Sequence, residues 1–146
     1  MLLAEATIPS KENPWCTLSG GQWYSYYDNA IHTNTDALAI DHVVPLAEAW
    51  ESGASRWTTA QRIAYANDLR DNRSLVAVSN SVHQAKGDQD PAEWLPPYEG
   101  ARCRYIEEWI AVKVRWGLIV DSAEKTALTR QAAACPDSTI RFDRAT

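Results

Sequence analysis

Between Ala37 and Val44 the side chains alternate, with Leu38, Ile40, His42 and Val44 on one face and Asp41 and Val43 on the other. Alternation of this kind predicts a strand, and Pro45 ends it because proline cannot donate to a sheet ladder. A second short apolar run, Leu75 to Val78, leads into Ser79-Asn80, which suits a strand delivering the chain to an N-capped helix. That helix carries His83 and Lys86 and stops at Gly87. Two strands far apart in the chain, the second running straight into a helix, restrict the architecture to α+β.

The intervening segment reads as helical. A short helix at Leu46 to Glu51 is stopped by Gly53, and Thr58 with Gln61 forms a capping box that opens a helix to about Leu69. A polar turn follows, Arg70 to Arg73. Met1 to Thr35, punctuated by Pro9, Pro14 and Ser19-Gly20-Gly21, reads as largely irregular, with one short strand at Gln22 to Tyr26. Asp88 to Gly100 contains three prolines and is expected to be a loop or a single helical turn. Beyond it, Tyr105, Trp109, Val112 and Trp116 share one stripe, predicting an amphipathic helix over Arg102 to Trp116 whose tryptophans face the core. Asp121 and Glu124 open a further helix, with Leu128, Ala132 and Cys135 on one face and Pro136 at its end. The expectation is one domain over 1–146, with a small ββα element at about 36–88 embedded among helices and a C-terminal helical scaffold at about 101–135.

Composition fits a single globular unit: 146 residues, 45% hydrophobic and 23% charged. Cys16, Cys103 and Cys135 lack zinc-site spacing. They allow either one bridge, with Cys103–Cys135 the preferred pair, or three buried reduced thiols. No stretch is apolar enough to span a membrane. Met1 to Ala6 is too short for a signal peptide, so the chain acts inside a cell or its leader has been removed.

The chain has only three histidines, His32, His42 and His83. His32 lies in a polar stretch and reads as a solvated surface residue. His42 follows Asp41 at the end of one strand, and His83 sits on the helix after the other. That order is the layout of a ββα-metal site. Hydrolysing a phosphodiester requires a deprotonated water, neutralisation of charge on the phosphate and stabilisation of the departing oxygen. A divalent metal held by Asp41 and His83 would supply the last two, and a metal-free His42 imidazole would take the proton. Adjacent residues can hold these different roles because neighbours on a strand point to opposite faces.

Several motifs carry a resemblance: DHVVPLAEAW (Asp41 to Trp50), YANDL (Tyr65 to Leu69), LVAV (Leu75 to Val78), KGDQDPAEWLPP (Lys86 to Pro97) and YIEEWIAVKVRWGL (Tyr105 to Leu118). Together they resemble the HNH (His-Me finger) endonuclease family typified by secreted actinobacterial nucleases, over about Gly21 to Cys135. The resemblance implies Asp41 and His83 as metal ligands, His42 as general base, Lys86 as a phosphate contact, and supporting roles for Glu48 and Asn67-Asp68. The middle Asn of the family pattern is replaced by Ser74, and Asn72, Ser74 or Asn67 could stand in for it. The implied cofactor is Mg²⁺, Mn²⁺ or Zn²⁺. The implied substrate is DNA, with RNA as an alternative, cut without strong sequence preference to leave 5′-phosphate and 3′-hydroxyl ends. A monomer is expected.

The net charge of −5 runs against a phosphate-binding surface. Clustering of Arg56, Arg62, Arg70, Arg73 and Lys86 near the site would offset it. Two rival readings follow from the sequence. One is an inactive HNH-like module that binds nucleic acid or protein. The other is a carbohydrate-active protein using carboxylates such as Asp88 and Asp90, neither of which has an apolar setting.

Overall fold

The computed structural model describes residues 1–145, which form six α-helices and five strands. The chain begins with a helical turn, α1 (Leu2–Glu5), and continues into β1 (Ile8–Glu12), β2 (Leu18–Ser25) and β3 (Ala30–His32). These strands make an antiparallel sheet in sequence order. Met1 to Thr35 is therefore not largely irregular. The glycines read as punctuation lie inside β2 and let it bend. Gly20 and Gly21 have φ of +65° and +89°, and a Cβ on Gly21 would fall 2.5 Å from the Ser10 Cβ of β1.

β4 (Leu38–His42) and β5 (Leu75–Ser79) form a separate antiparallel pair, with Asp41 opposite Val76 and His42 opposite Leu75. Between them come α2 (Leu46–Glu51) and α3 (Thr59–Ala66), the latter opened by the Thr58–Gln61 capping box. α3 ends three residues before Leu69. The Asn67 amide donates to the Ile63 carbonyl, and Asp68 turns inward to accept from Arg115. β5 is buried along its whole length and runs directly into α4 (Asn80–Lys86), which Gly87 terminates at φ +56°. Ser79 stands at the N-cap of α4, but its hydroxyl does not cap; it meets His32 Nε2 at 2.6 Å. His32 is thus a tie between β3 and β5 rather than a solvated residue. A second tie runs from the Ser79 N–H to the Ser25 hydroxyl, at 2.9 Å.

α5 (Arg102–Trp116) and α6 (Ser122–Ala133) pack as the C-terminal pair, with Asp121 and Glu124 closing the second capping box. Tyr105, Trp109 and Val112 bury against Tyr27, Val43, Val44 and Val78. Rings dominate this core: Tyr27 touches Tyr26, Trp94 and Tyr105 edge-on or tilted. Cys103 and Cys135 are bonded, joining the start of α5 to the chain just past α6, while Cys16 is free and exposed. Charge is buried as well. Lys113, 2% exposed, bonds Glu48, Glu124, the Ser52 hydroxyl and the Ile119 carbonyl, so α2 and α6 are both tied to α5. No described helix is long and apolar enough to cross a membrane.

Candidate active site

Asp41 lies near the end of β4 with its carboxylate inside the molecule, 1% exposed. An isolated carboxylate there would be costly, and three donors compensate it. His83 Nδ1 meets Oδ1 at 2.7 Å, Lys86 Nζ meets Oδ2 at 2.8 Å, and the Tyr27 hydroxyl donates to Oδ2 at 2.7 Å. Burial alone would raise the Asp41 carboxyl. The His83 hydrogen bond, the Lys86 charge and the Tyr27 hydroxyl outweigh it and hold the group below the ordinary carboxylate range. Asp41 is therefore an anion, and the hydrogen at His83 Nδ1 belongs to the imidazole.

Helix geometry explains why two of the donors arrive together. His83 and Lys86 are three apart on α4, so both project from one face onto β4. Lys86 is wholly buried and also donates to the His42 carbonyl at 2.8 Å. Burial pulls its ammonium below the usual lysine range, against the pull of Asp41. Lys86 therefore faces inward, where it fixes the carboxylate and the end of the strand. The His83 side chain remains 38% exposed, at the solvent edge of the pair.

His42 points away from Asp41, as strand alternation requires. Its Nε2 lies 3.0 Å from the Ala66 carbonyl at the end of α3, and its ring stacks toward Tyr65 at 6.2 Å. A carbonyl can only accept, so Nε2 carries the hydrogen. In the neutral ring Nδ1 then keeps its lone pair. The tautomer is set by the backbone. None of the side chains considered for steadying this ring does so. Ser74 donates to Asp68, Asn67 donates to Ile63, and Asn72 is exposed on the loop before β5.

Glu48 pairs with Lys113 and Asp68 with Arg115, so both brace the scaffold away from Asp41. Arg73 is held by Asp71, while Arg56 and Arg70 are exposed. Asp90 is buried and accepts from the Ala92 N–H, a turn role. Two partners were not legible in the sequence. Tyr27, 0% exposed, comes from beyond β2, and no motif distinguishes it from its neighbour Tyr26. The Ala66 carbonyl has no side-chain signature at all.

A divalent ion needs oxygen and nitrogen donors that converge, and Asp41 and His83 do. Asp41 Oδ1 and His83 Nδ1 are the two atoms that would hold it, with the Nδ1 hydrogen displaced. Among the described residues no cluster of three or more His, Cys, Asp or Glu side chains could hold a metal. Asp41 and His83 alone would thus leave most positions around such an ion to water or substrate oxygens.

The family model for the C-terminal domain of GmrSD restriction endonucleases matches residues 5–131. An uncharacterized secreted protein of Arthroderma benhamiae is 50% identical over 120 residues, covering 82% of this chain and 58% of that protein. The chain thus spans little more than half the length of that relative. No solved structure matches it. The family model covers most of the chain, and the chain belongs to the family of GmrSD restriction endonuclease C-terminal domains.

Proposed function

We propose that the chain is a metal-dependent HNH-type endonuclease hydrolysing phosphodiester bonds of DNA, with RNA as a second substrate. In this reading β4, β5 and α4 form the ββα-metal element. One observation carries the reading. Side chains 42 positions apart, Asp41 and His83, meet at 2.7 Å, and the residue beside Asp41 is an imidazole whose Nδ1 keeps its lone pair. A nuclease-family match over most of the chain supports it.

Asp41 and His83 would hold the ion. When bound, a divalent cation would supply neutralisation of charge on the phosphate and on the departing oxygen. His42 Nδ1 accepts the proton of the attacking water, while the Nε2 bond to Ala66 keeps the ring from turning. Lys86 and Tyr27 hold Asp41 Oδ2, which leaves Oδ1 as the oxygen directed at His83. Two protein donors would suit Mg²⁺ or Mn²⁺, ions that ordinarily keep much of their hydration.

Supercoiled plasmid is expected to be nicked in Mg²⁺ or Mn²⁺ and spared in excess chelator. Calorimetric titration of Mn²⁺ should show heat that Asp41→Ala and His83→Ala both abolish. Cleavage undiminished by chelator, or Mn²⁺ binding unchanged in both variants, would remove the metal from the mechanism. Absence of cleavage in every metal would leave a binding module instead.

Tyr27→Phe tests the support of the carboxylate. It removes one donor to Asp41 and leaves the ring packing in place. Outer partners of metal ligands typically contribute 10–100-fold, so Mn²⁺ affinity should weaken about tenfold. Unchanged affinity and rate would make Tyr27 a packing residue only.

A further inference from the structure

Next to His42 lies a groove that the mechanism above does not use. Its cavity of about 320 Å³ is walled by Leu46, Trp50, Trp57, Ile63 and Tyr65, with Arg62 at its mouth. Trp50 is 52% exposed, Ile63 59% and Leu46 50%, a large apolar surface left open to water. We propose that this groove is a nucleobase subsite, taking one unstacked base of the strand being cut and so favouring single-stranded or locally opened nucleic acid. The proposal rests on the nuclease reading and names the substrate form that reading leaves open.

Three observations select a base as occupant. The first is continuity with the candidate active site. Tyr65 and Ala66 line the groove, and they are the residues against which His42 stacks and to whose carbonyl it bonds. A nucleotide whose base entered the groove would bring its phosphates toward the side of Tyr65 and Ala66 on which His42 lies.

The second is the character of the walls. Trp57 packs edge-on against Tyr65 and tilted against Trp116, and the Tyr65 hydroxyl is tied to the Val44 carbonyl at 2.6 Å. The inner rings are therefore held rigidly by the core. Trp50 on α2 is the half-exposed ring, outside the core packing. Flat, fixed aromatic surface is what a base stacks on, and it does so with little dependence on sequence.

The third is charge. The chain carries −5 overall, yet no carboxylate lines the groove. Its charged member, Arg62, donates to the Trp57 carbonyl and sits 5.4 Å from the Trp50 ring centroid, so the guanidinium bridges the two walls. A cation at the mouth of an aromatic slot matches a base with a phosphate on either side.

Binding without turnover separates this proposal from the nuclease reading. A fluorescein-labelled hexathymidylate and a short hairpin duplex would be titrated, without metal, into His42→Gln protein with and without Trp50→Ala. Trp50→Ala is expected to weaken hexathymidylate binding about tenfold and duplex binding less than twofold, with Trp50→Phe recovering most of the loss. Equal effects on both probes, no effect on either, or no hexathymidylate binding at all would overturn the subsite. So would a concentration-dependent dimer that Trp50→Ala disperses, since a second copy would then be the occupant. Because Trp50 is half exposed, its variants should keep the wild-type thermal midpoint; a lowered midpoint in Trp50→Ala moves the decision to Trp50→Phe against Arg62→Met, where weakening of hexathymidylate alone by Arg62→Met supports the subsite. Base binding by a protein that never cleaves would sink the nuclease reading alone, whereas cleavage indifferent to Trp50 would sink the subsite alone.

Discussion

His42→Gln is expected to lower the rate of plasmid cleavage about a thousandfold while leaving the fold and the Mn²⁺ affinity intact. The magnitude is that of a positioned general base, which contributes roughly 10²–10⁴. Glutamine is chosen because its amide can still donate to the Ala66 carbonyl, now 3.0 Å from His42 Nε2. It cannot take a proton from water. A residue that merely pinned α3 to β4 would tolerate this exchange, whereas a proton acceptor would not. His42→Ala should be at least as slow and should also loosen the end of α3, because both the Ala66 bond and the Tyr65 stacking contact are lost. Metal affinity is the control readout, since His42 points away from the Asp41–His83 pair. Retention of a tenth or more of wild-type activity in His42→Gln would mean that water is activated by some other group.

The parts of this fold legible in the sequence are those whose causes are local. The alternation around Asp41, the Thr58–Gln61 and Asp121–Glu124 boxes and the stop at Gly87 each act within a few residues, and each appears where the pattern puts it. Of the N-terminal sheet only the end of β2, from Gln22, was legible. Gly20 and Gly21 ordinarily mark a turn; inside β2 both are set by positive φ, and Gly21 also by the close approach of Ser10 on another strand. The same division runs through the candidate site. Asp41 and His83 could be paired from motif order alone. The inward turn of Lys86 depends on how α4 lies across β4. The Tyr27 hydroxyl and the Ala66 carbonyl belong to segments that meet the site only once the chain has folded.

The largest expected effect on stability lies behind the site, at Asp68. Its carboxylate, 3% exposed, accepts from Arg115 through both oxygens and also from Ser74, Trp116 and the Arg70 N–H. Asp68→Asn keeps the shape but removes the charge and turns an NH₂ toward donors. Arg115, 6% exposed, is left without its counter-ion. Breaking one side of a buried pair costs about 3–5 kcal/mol, and that loss is expected in urea unfolding at pH 7 with the Cys103–Cys135 bond intact.

The pH dependence follows from the direction of the Asp68 shift. Burial would raise this carboxyl, but the Arg115, Ser74 and Trp116 donors prevail and hold it below the ordinary range. A depressed folded value means that the stabilisation is present above the unfolded value of about 3.9 and is lost as pH falls through the folded one. The gap between wild type and Asp68→Asn should therefore be widest near neutrality and should narrow below about pH 4. Asp41 and Asp71 are also depressed and will keep some acid sensitivity in the variant. Glu108 and Glu124 act in the opposite sense: burial raises both, so they subtract stability near neutrality and return it as the medium acidifies. A gap that stays the same at pH 3 and pH 7, or falls below about 1 kcal/mol at pH 7, would mean that Asp68 contributes shape rather than charge, and that Arg115 finds compensation elsewhere.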